Sequence, residues 1–361
     1  MERSTLSPFV LPYGGVSPSL AEPIGRYGPG SAVLGRATIG SAGSLASLSV
    51  VRADGHYVNI GDEFWLGEHS TVHIAHELYP CVIGDRVTVG SNACVHACTV
   101  GNDCVIEDHA VILDGSIVQD GVVLEAGSVV FPRSQLEAGY VYAGVPAKPI
   151  RQILPDEVAK RAHQIRSAAV PELSQSAIHV VAGSFLAGQA DSFATGVAPS
   201  TFVAATARIR GSLYTESNAS IWFGCVLDAG EAEIRVGRNS NIQDNTSIHC
   251  TSEPLILGRD AVIGHNVKLS SCTIGDRALI GIGSLVAEGT IVESDVLLAA
   301  GARTIPGQRL ESGWVWAGNP ARPIGKLDAK KHEMIAWTVK TYTQYAQDYL
   351  FSQEHLLRES V

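Results

Sequence analysis

The repeat that decides the fold is most regular between residues 100 and 125, where the chain reads VGNDCV IEDHAV ILDGSI VQDGVV LE in groups of six. A period of six matches neither the period of about 3.6 residues of an α-helix nor the period of about two residues of a strand. It is typical of a parallel β-helix, in which three short strands complete one triangular coil and aliphatic residues stack inside. Each group opens on an aliphatic residue, namely Val100, Ile106, Ile112, Val118 and Leu124.

The same repeat occurs a second time, 174 residues further along the chain. The two repeat regions also end alike, on YAGVPAKPI at 142–150 and WAGNPARPI at 316–324. Helix-like stretches follow at 155–167 and 330–350, and the tyrosines of the second stretch are expected to be packing residues. The sequence therefore predicts a mainly β protein of two tandem parallel β-helices, each followed by a helix. We expect a first domain at 1–170, a linker at 171–199 and a second domain at 200–361.

Composition excludes several classes of protein. Apolar residues are 45% of the 361 residues and charged residues 17%, which excludes wholesale disorder, and no apolar run approaches the ~18 residues of a membrane helix. The net charge of −10, without a basic cluster, disfavours nucleic acid as a partner. Residues 1–15 lack the pattern of a secretory signal, so the expected location is the cytoplasm. The seven cysteines lack CxxC spacing and are expected to be buried thiols rather than disulfides or zinc ligands.

Histidines at corresponding positions of the two repeats are complementary. The repeats align coil by coil if the first carries two extra residues between Val72 and Val82. A catalytic zinc needs about three protein ligands and one open position, so neither repeat supplies a three-histidine set at these positions. The corresponding pairs are His73 with His249, Ser91 with His265, and His96 with Ser270.

The second repeat resembles the γ-class carbonic anhydrases through SIWFGC at 220–225, NIQDNTSIH at 241–249 and IGHN at 263–266. The resemblance covers about 31–152 and 200–325. It implies left-handed β-helices, assembled as trimers, with a zinc between neighbouring helices that takes two histidines from one side and one from the other. Carried over to this sequence, His73 and His96 are the pair from one side, and His265 is the ligand donated across the interface.

A contact between a first and a second domain would therefore restore three ligands. The reverse contact would offer His249 with Ser270 and Ser91, so we expect this degenerate second site to bind no zinc. A ring of three domains cannot alternate two kinds of domain, and the sequence leaves open which rings form.

Other residues typical of the γ-class family are also divided between the two repeats, some being kept only in the first and others only in the second. The resemblance implies interface roles for Arg52 and Asp54 of the first repeat, with Arg52 opposite Asp244 of the second. It implies that Gln243 orients hydroxide or substrate and that Glu231 passes protons to solvent.

The resemblance implies a zinc-dependent lyase, a homo-oligomer assembled through β-helix faces, that hydrates CO₂ reversibly by hydroxide on the metal. Iron or cobalt would suit the same ligands, and the small-molecule partner would be CO₂ or bicarbonate. Two alternatives remain open at this point. One is a metal-dependent hydrolase or hydratase acting on another small molecule, and the other is a non-catalytic assembly subunit of the same fold.

Overall fold

A computed structural model of the chain describes residues 8–168 and 196–359, with side chains as far as residue 352. The described residues form two compact units, one on each side of the gap. Most of the predicted linker at 171–199 lies outside the described residues, so its bounds stay a prediction.

The first unit is built almost wholly from short strands and ends in a helix, α1, at Glu157–Ala168. Its strands are β1 Phe9–Leu11, β2 Ser19–Leu20, β3 Ala32–Ile39, β4 Ser44–Leu45, β5 Val50–Ile60, β6 Trp65–Leu66, β7 Thr71–His73, β8 Cys81–Ile83, β9 Thr88–Val89, β10 Cys94–His96, β11 Thr99–Val100, β12 Val105–Ile106, β13 Val111–Ile112, β14 Ile117–Val118, β15 Val123–Leu124, β16 Val129–Val130, β17 Gln135–Leu136, β18 Tyr140–Gly144 and β19 Ala147–Gln152.

The second unit repeats this plan and ends in a longer helix, α2, at Ala329–Glu359. Its strands are β20 Phe202–Val203, β21 Arg208–Thr215, β22 Ser220–Ile221, β23 Val226–Val236, β24 Asn241–Ile242, β25 Ser247–His249, β26 Leu255–Leu257, β27 Val262–Ile263, β28 Lys268–Ser270, β29 Thr273–Ile274, β30 Leu279–Ile280, β31 Leu285–Val286, β32 Ile291–Val292, β33 Leu297–Leu298, β34 Arg309–Leu310, β35 Trp314–Ala317 and β36 Arg322–Lys326.

Most strands of the coils pair in parallel with the third strand along the chain, which is the arrangement of a three-sided β-helix, and each β-helix ends in an antiparallel pair, β18 with β19 and β35 with β36. In the first unit β7, β10, β13 and β16 form one side, while β6, β9, β12 and β15 form another. The aliphatic residues that open the hexads are buried to 2% exposure or less, because they stack in the interior of the coils. Burial of each such side chain contributes roughly 1.5–3 kcal/mol. The predicted fold class is confirmed: each unit is a parallel β-helix followed by a helix.

The fourth residue of each hexad adopts a left-handed backbone conformation at a corner of the coil. Successive φ values are 54° at Asp103, 60° at His109, 68° at Gly115 and 66° at Gly121. Glycine adopts this conformation without strain, and aspartate tolerates it better than most residues. Glycine and polar residues therefore recur at the fourth position of the hexads, because the chain turns a corner at that position once in every six residues.

Both helices pack on their own β-helix through apolar side chains. In helix α1, predicted at 155–167, Val158, Ala162 and Ile165 are partly buried against Val105, Val123 and Val141. Nη1 of Arg161 adds a hydrogen bond to Oε1 of Glu107 at 2.5 Å. Helix α2 extends beyond the predicted 330–350 and packs on β20, β22, β24 and β27 through aromatic side chains. Tyr345 and Tyr349 are buried to 2% and 1% exposure, as expected of packing residues.

The structure also bears on two expectations drawn from composition, which concern the cysteines and membrane-spanning helices. All seven cysteines lie among the described residues, where they are buried thiols. No helix in the described part of the chain combines the length and the apolar character that a membrane crossing requires.

Candidate metal centre

The first unit places His73 and His96 side by side on neighbouring coils. Arg52, His73 and His96 are register partners on β5, β7 and β10, so their side chains leave the same face of the sheet. The two imidazole rings meet edge to face with centroids 5.4 Å apart, and one ring nitrogen of each lies within 4.8 Å of the other. The two histidines predicted to come from one side of the site are therefore neighbours in space.

Backbone geometry decides which nitrogen of His73 is available as a ligand. Nδ1 lies 2.8 Å from the carbonyl oxygen of Arg52, and a carbonyl can only accept, so Nδ1 carries the proton. The lone pair is then on Nε2, where it accepts a hydrogen bond from Nη2 of Arg52 at 3.0 Å. Asp54 fixes the same guanidinium through its Oδ2, 2.5 Å from Nη1, and all three side chains are buried.

His96 is oriented by a carboxylate that the sequence analysis did not single out. Oδ1 of Asp114 lies 2.6 Å from Nδ1 of His96 and comes from the next coil, 18 residues along the chain. An ionised carboxylate accepts, so Nδ1 carries the proton and Nε2 presents its lone pair. The coil spacing points to the turn after β13, but the register pairs Cys94 with Val111 and Val95 with Ile112, so Asp114 lies one residue beyond the position opposite His96.

The second unit holds His265 in a tight turn after β27. A Cβ atom on the preceding Gly264 would lie 2.9 Å from the backbone nitrogen of Ile282, so the coils approach closely here. Oδ2 of Asp244 lies 3.1 Å from Nδ1 of His265, while Oδ1 accepts from the backbone N–H of Phe223 at 3.1 Å. Asp244 thus orients His265 inside its own unit, a role beyond the interface role predicted for it.

The other nitrogen of His265 contacts a residue of helix α2. The hydroxyl of Tyr342 lies 3.2 Å from Nε2 of His265, and both side chains are buried. Sequence reasoning treated the tyrosines of this helix as packing residues alone. The contact joins positions 77 residues apart, which no local pattern could reveal.

Gln243 and Glu231, the predicted catalytic pair, occupy contrasting environments. Gln243 is 5% exposed and its Nε2 donates to Oδ1 of Asn241 at 3.1 Å. Glu231 lies on β23 with its side chain exposed. A buried amide is suited to orienting a small ligand, and an exposed carboxylate to exchanging protons with water.

The degenerate positions have a different character from the histidine pair of the first unit. Asp228, His249 and Ser270 are register partners on β23, β25 and β28, where the first unit has Arg52, His73 and His96. The His249 side chain is 69% exposed, and its Nδ1 is 3.6 Å from Oδ2 of Asp228, beyond hydrogen-bonding distance. Ser91 follows Gly90 after β9 as His265 follows Gly264 after β27. The coil-by-coil correspondence inferred from the sequence is therefore present in the two units.

Comparison with known proteins gives the class to which this fold and these residues belong. The family described as the hexapeptide repeat of succinyl-transferase matches residues 80–108 and 272–302. The chain belongs to the hexapeptide-repeat family and is a homologue of γ carbonic anhydrases.

Two curated relatives and one solved structure illustrate the relationship. The chain is 37% identical to Gamma carbonic anhydrase 1, mitochondrial, of Arabidopsis thaliana over 153 residues, which are 40% of this chain and 56% of the relative. It is 32% identical to Protein YrdA of Escherichia coli K12 over 148 residues, 39% of this chain and 80% of that protein. The match thus spans little more than half the length of the plant relative. A crystal structure from Desulfovibrio desulfuricans G20, named as an acetyltransferase, shares the fold with a TM-score of 0.52 and 13% identity over 97% of this chain and 81% of its own.

The donor chemistry of the three histidines fits a divalent transition metal. Each imidazole has Nδ1 against an oxygen atom: a carbonyl at His73, and carboxylates at His96 and His265. The hydrogen bonds of His73 and His96 fix the neutral tautomer with Nε2 as the donor atom, and the carboxylate beside Nδ1 of His265 favours the same tautomer, as is usual for histidine ligands of zinc.

Proposed function

We propose that this chain is a metal-dependent lyase of the γ carbonic anhydrase type, which hydrates CO₂ reversibly. In this proposal His73 and His96 of a first domain and His265 of a second domain share one metal ion, whether the domains belong to one chain or to two. The observation that carries the proposal is the common orientation of these histidines, each with an oxygen atom within 3.1 Å of Nδ1. His249 contrasts with them, because the carboxylate oxygen of Asp228 lies 3.6 Å from its Nδ1, beyond hydrogen-bonding distance.

Zinc is the metal we propose first, with iron or cobalt suited to the same nitrogen donors. The three imidazoles would hold zinc, which when bound would lower the pKa of a water molecule to about 7 and so supply a nucleophile at neutral pH. The Nη2 group of Arg52 and the hydroxyl of Tyr342 donate to the lone pairs that the metal would take, so both must yield when it binds.

The remaining residues have roles in binding and proton transfer. We propose that the buried amide of Gln243 orients the attacking oxygen or CO₂, and that the exposed Glu231 carries protons to bulk water. Arg52, Asp54 and Asp244 would hold the interface between the two kinds of domain. Ser91, His249 and Ser270 would leave the reverse interface without metal.

Metal analysis together with a direct assay tests the proposal. We expect protein purified without chelators to contain about one zinc or iron per chain by elemental analysis and to accelerate CO₂ hydration in a stopped-flow pH-indicator assay. Metal without CO₂ hydration would favour a metal-dependent hydrolase or hydratase. Protein that neither contains nor takes up zinc, iron or cobalt would sink the catalytic proposal and leave a non-catalytic assembly subunit.

Replacement of Asp114 by asparagine should weaken zinc binding by about 10- to 100-fold, the usual effect of losing the hydrogen-bond partner of a histidine ligand. An amide accepts less strongly than a carboxylate and can turn its NH₂ group towards Nδ1, which disfavours the tautomer that Nε2 ligation requires. Competition with a chromophoric chelator measures the change in Kd.

Glu288→Gln is the matched control for Asp114→Asn. Glu288 is the counterpart of Asp114 in the second repeat, 174 residues later, and accepts a hydrogen bond from Thr251 at 2.6 Å. We expect its replacement to leave the zinc Kd within about twofold of wild type. Equal losses in the two variants would contradict the role of Asp114.

The proposed location is a reducing compartment such as the cytoplasm. Seven cysteines kept as buried thiols support it, since thiols persist in reducing compartments. The proposed assembly is a homo-oligomer through β-helix faces.

A further inference from the structure

Helix α2 directs a hydroxyl group at the nitrogen of His265 that the proposed metal site requires. The hydroxyl of Tyr342 lies 3.2 Å from Nε2 of His265. Tyr342 is 6% exposed and His265 is 1% exposed, so water has little access to this contact. A hydrogen bond in such surroundings is replaced only by another strong partner.

The direction of this hydrogen bond follows from the other side of the ring. Nδ1 of His265 lies 3.1 Å from Oδ2 of Asp244, in an ion-pair contact that lacks the alignment of a hydrogen bond. A lone pair on Nδ1 would face the carboxylate oxygen and be repelled by it, so the neutral ring favours the tautomer with its proton on Nδ1. Nε2 is then an acceptor, and the Tyr342 hydroxyl donates to it. The lone pair that Tyr342 occupies is the one that a metal ion would use.

The position of the hydroxyl is fixed by aromatic packing beneath α2. The ring of Tyr342 meets the buried ring of Trp222 edge to face, with centroids 5.2 Å apart, and meets Tyr345 at 5.9 Å. Trp222 is fully buried and donates from Nε1 to Ser220 at 3.0 Å. Tyr349 belongs to the same cluster but stacks on Phe202, with centroids 5.5 Å apart.

We propose that Tyr342 is a positioning residue that caps Nε2 of His265 in the metal-free protein and thereby lowers the affinity of the site for a divalent transition metal. The inference rests on the proposed function. Asp244 keeps the imidazole oriented, so Tyr342 is not needed for ligand geometry once a metal is bound. Its hydrogen bond must be broken before Nε2 can coordinate, and the free energy of that bond is subtracted from metal binding.

Removal of the hydroxyl should therefore strengthen zinc binding, opposite to the usual effect of mutations around a metal site. A net hydrogen bond of this kind is worth roughly two- to tenfold in an equilibrium constant. In Tyr342→Phe the ring remains against Trp222, whereas the hydrogen bond from the hydroxyl to Nε2 of His265 is lost and no longer competes with a metal for that lone pair. We expect the zinc Kd to fall by about threefold to tenfold.

The test is a Zn²⁺ titration of the metal-free full-length protein against a chromophoric chelator, for wild type, Tyr342→Phe and Tyr349→Phe. Tyr349→Phe removes a hydroxyl from the same aromatic cluster, and its Kd should stay within about twofold of wild type. A second readout is the near-ultraviolet difference spectrum on adding Zn²⁺. Release of the Tyr342 hydroxyl should produce a tyrosine signal in wild type and Tyr349→Phe that Tyr342→Phe lacks.

The outcomes separate this inference from the proposed function. Tighter zinc binding by Tyr342→Phe alone, with loss of the tyrosine signal, supports it. Unchanged or weaker binding by Tyr342→Phe, when wild type binds zinc, overturns the role of Tyr342 and leaves the proposed function standing. Absence of zinc binding by wild type overturns both.

Discussion

Replacement of His265 by alanine should abolish stoichiometric metal binding, with loss of any CO₂ hydration. Zinc sites bind with about 10–16 kcal/mol in structural proteins, so removal of one of three imidazole ligands costs on the order of 3 kcal/mol, or at least about 100-fold in Kd. His265 is buried, and the carboxylate of Asp244 lies 3.1 Å from its Nδ1, so the ring is already placed to offer Nε2 and alanine removes that donor. Metal content per chain and the zinc Kd measure the effect.

His249→Ala is the matched control, because His249 is the other histidine of the second repeat at a family position. Its side chain is 69% exposed, and its Nδ1 lies 3.6 Å from Oδ2 of Asp228, too far for a hydrogen bond that would orient the ring. Its loss should therefore leave the metal content unchanged. If His249→Ala lost the metal while His265→Ala kept it, the assignment of His265 as a metal ligand and of His249 to the degenerate second site would be wrong.

The largest expected loss of stability comes from Trp222→Ala. Trp222 is fully buried between the second β-helix and α2, against Phe202, Phe223, Tyr342, Tyr345 and Tyr349. Truncation of a buried tryptophan removes its apolar contacts and leaves a cavity, at a cost of about 3–5 kcal/mol in the free energy of unfolding. We expect the melting temperature to fall by roughly 6–20 °C, measured by far-ultraviolet circular dichroism.

Phe351→Ala provides the comparison on the same helix. Phe351 is 69% exposed, and surface replacements of this kind change the free energy of unfolding by about 0.5 kcal/mol or less. A similar loss of stability in both variants would show that α2 is not anchored by the cluster around Trp222. Because Tyr342 packs on Trp222, Trp222→Ala should also disturb the contact between Tyr342 and His265.

Much of the fold could be predicted from local pattern alone. The aliphatic residues at 100–124 recur every six residues, and three units of six residues make one coil of a β-helix. The period therefore predicts the architecture. The offset between repeats then identified the register, and Arg52, His73 and His96 lie on one ladder of paired strands, as do Asp228, His249 and Ser270. In a solenoid, neighbours in space are one coil apart in sequence, although the length of a coil varies where residues are inserted, as between His73 and His96.

The surroundings of the candidate ligands could be predicted only in part. The coil spacing indicates the turn after β13 as the neighbour of His96, but not Asp114 itself, because the paired strands are offset by 17 residues and Asp114 follows His96 by 18. Tyr342 could not be predicted from spacing, because its position depends on how a helix outside the repeat lies on the coils. The extent of α2 was also underestimated, at 330–350 against Ala329–Glu359, because the prediction ended with the apolar pattern near Tyr349, whereas residues of good helix propensity such as Gln353 and Glu354 continue beyond it.

The amino-acid sequence by itself determined two repeats, the residues that stack within them and the positions where candidate ligands can occur, because each of these depends on a regular spacing along the chain. The tertiary structure decided how the side chains are oriented. Only in three dimensions does a carbonyl of Arg52, a carboxylate of Asp114 or the hydroxyl of Tyr342 reach an imidazole nitrogen. Hydrogen bonds act over about 3 Å, a distance that sequence periodicity cannot resolve.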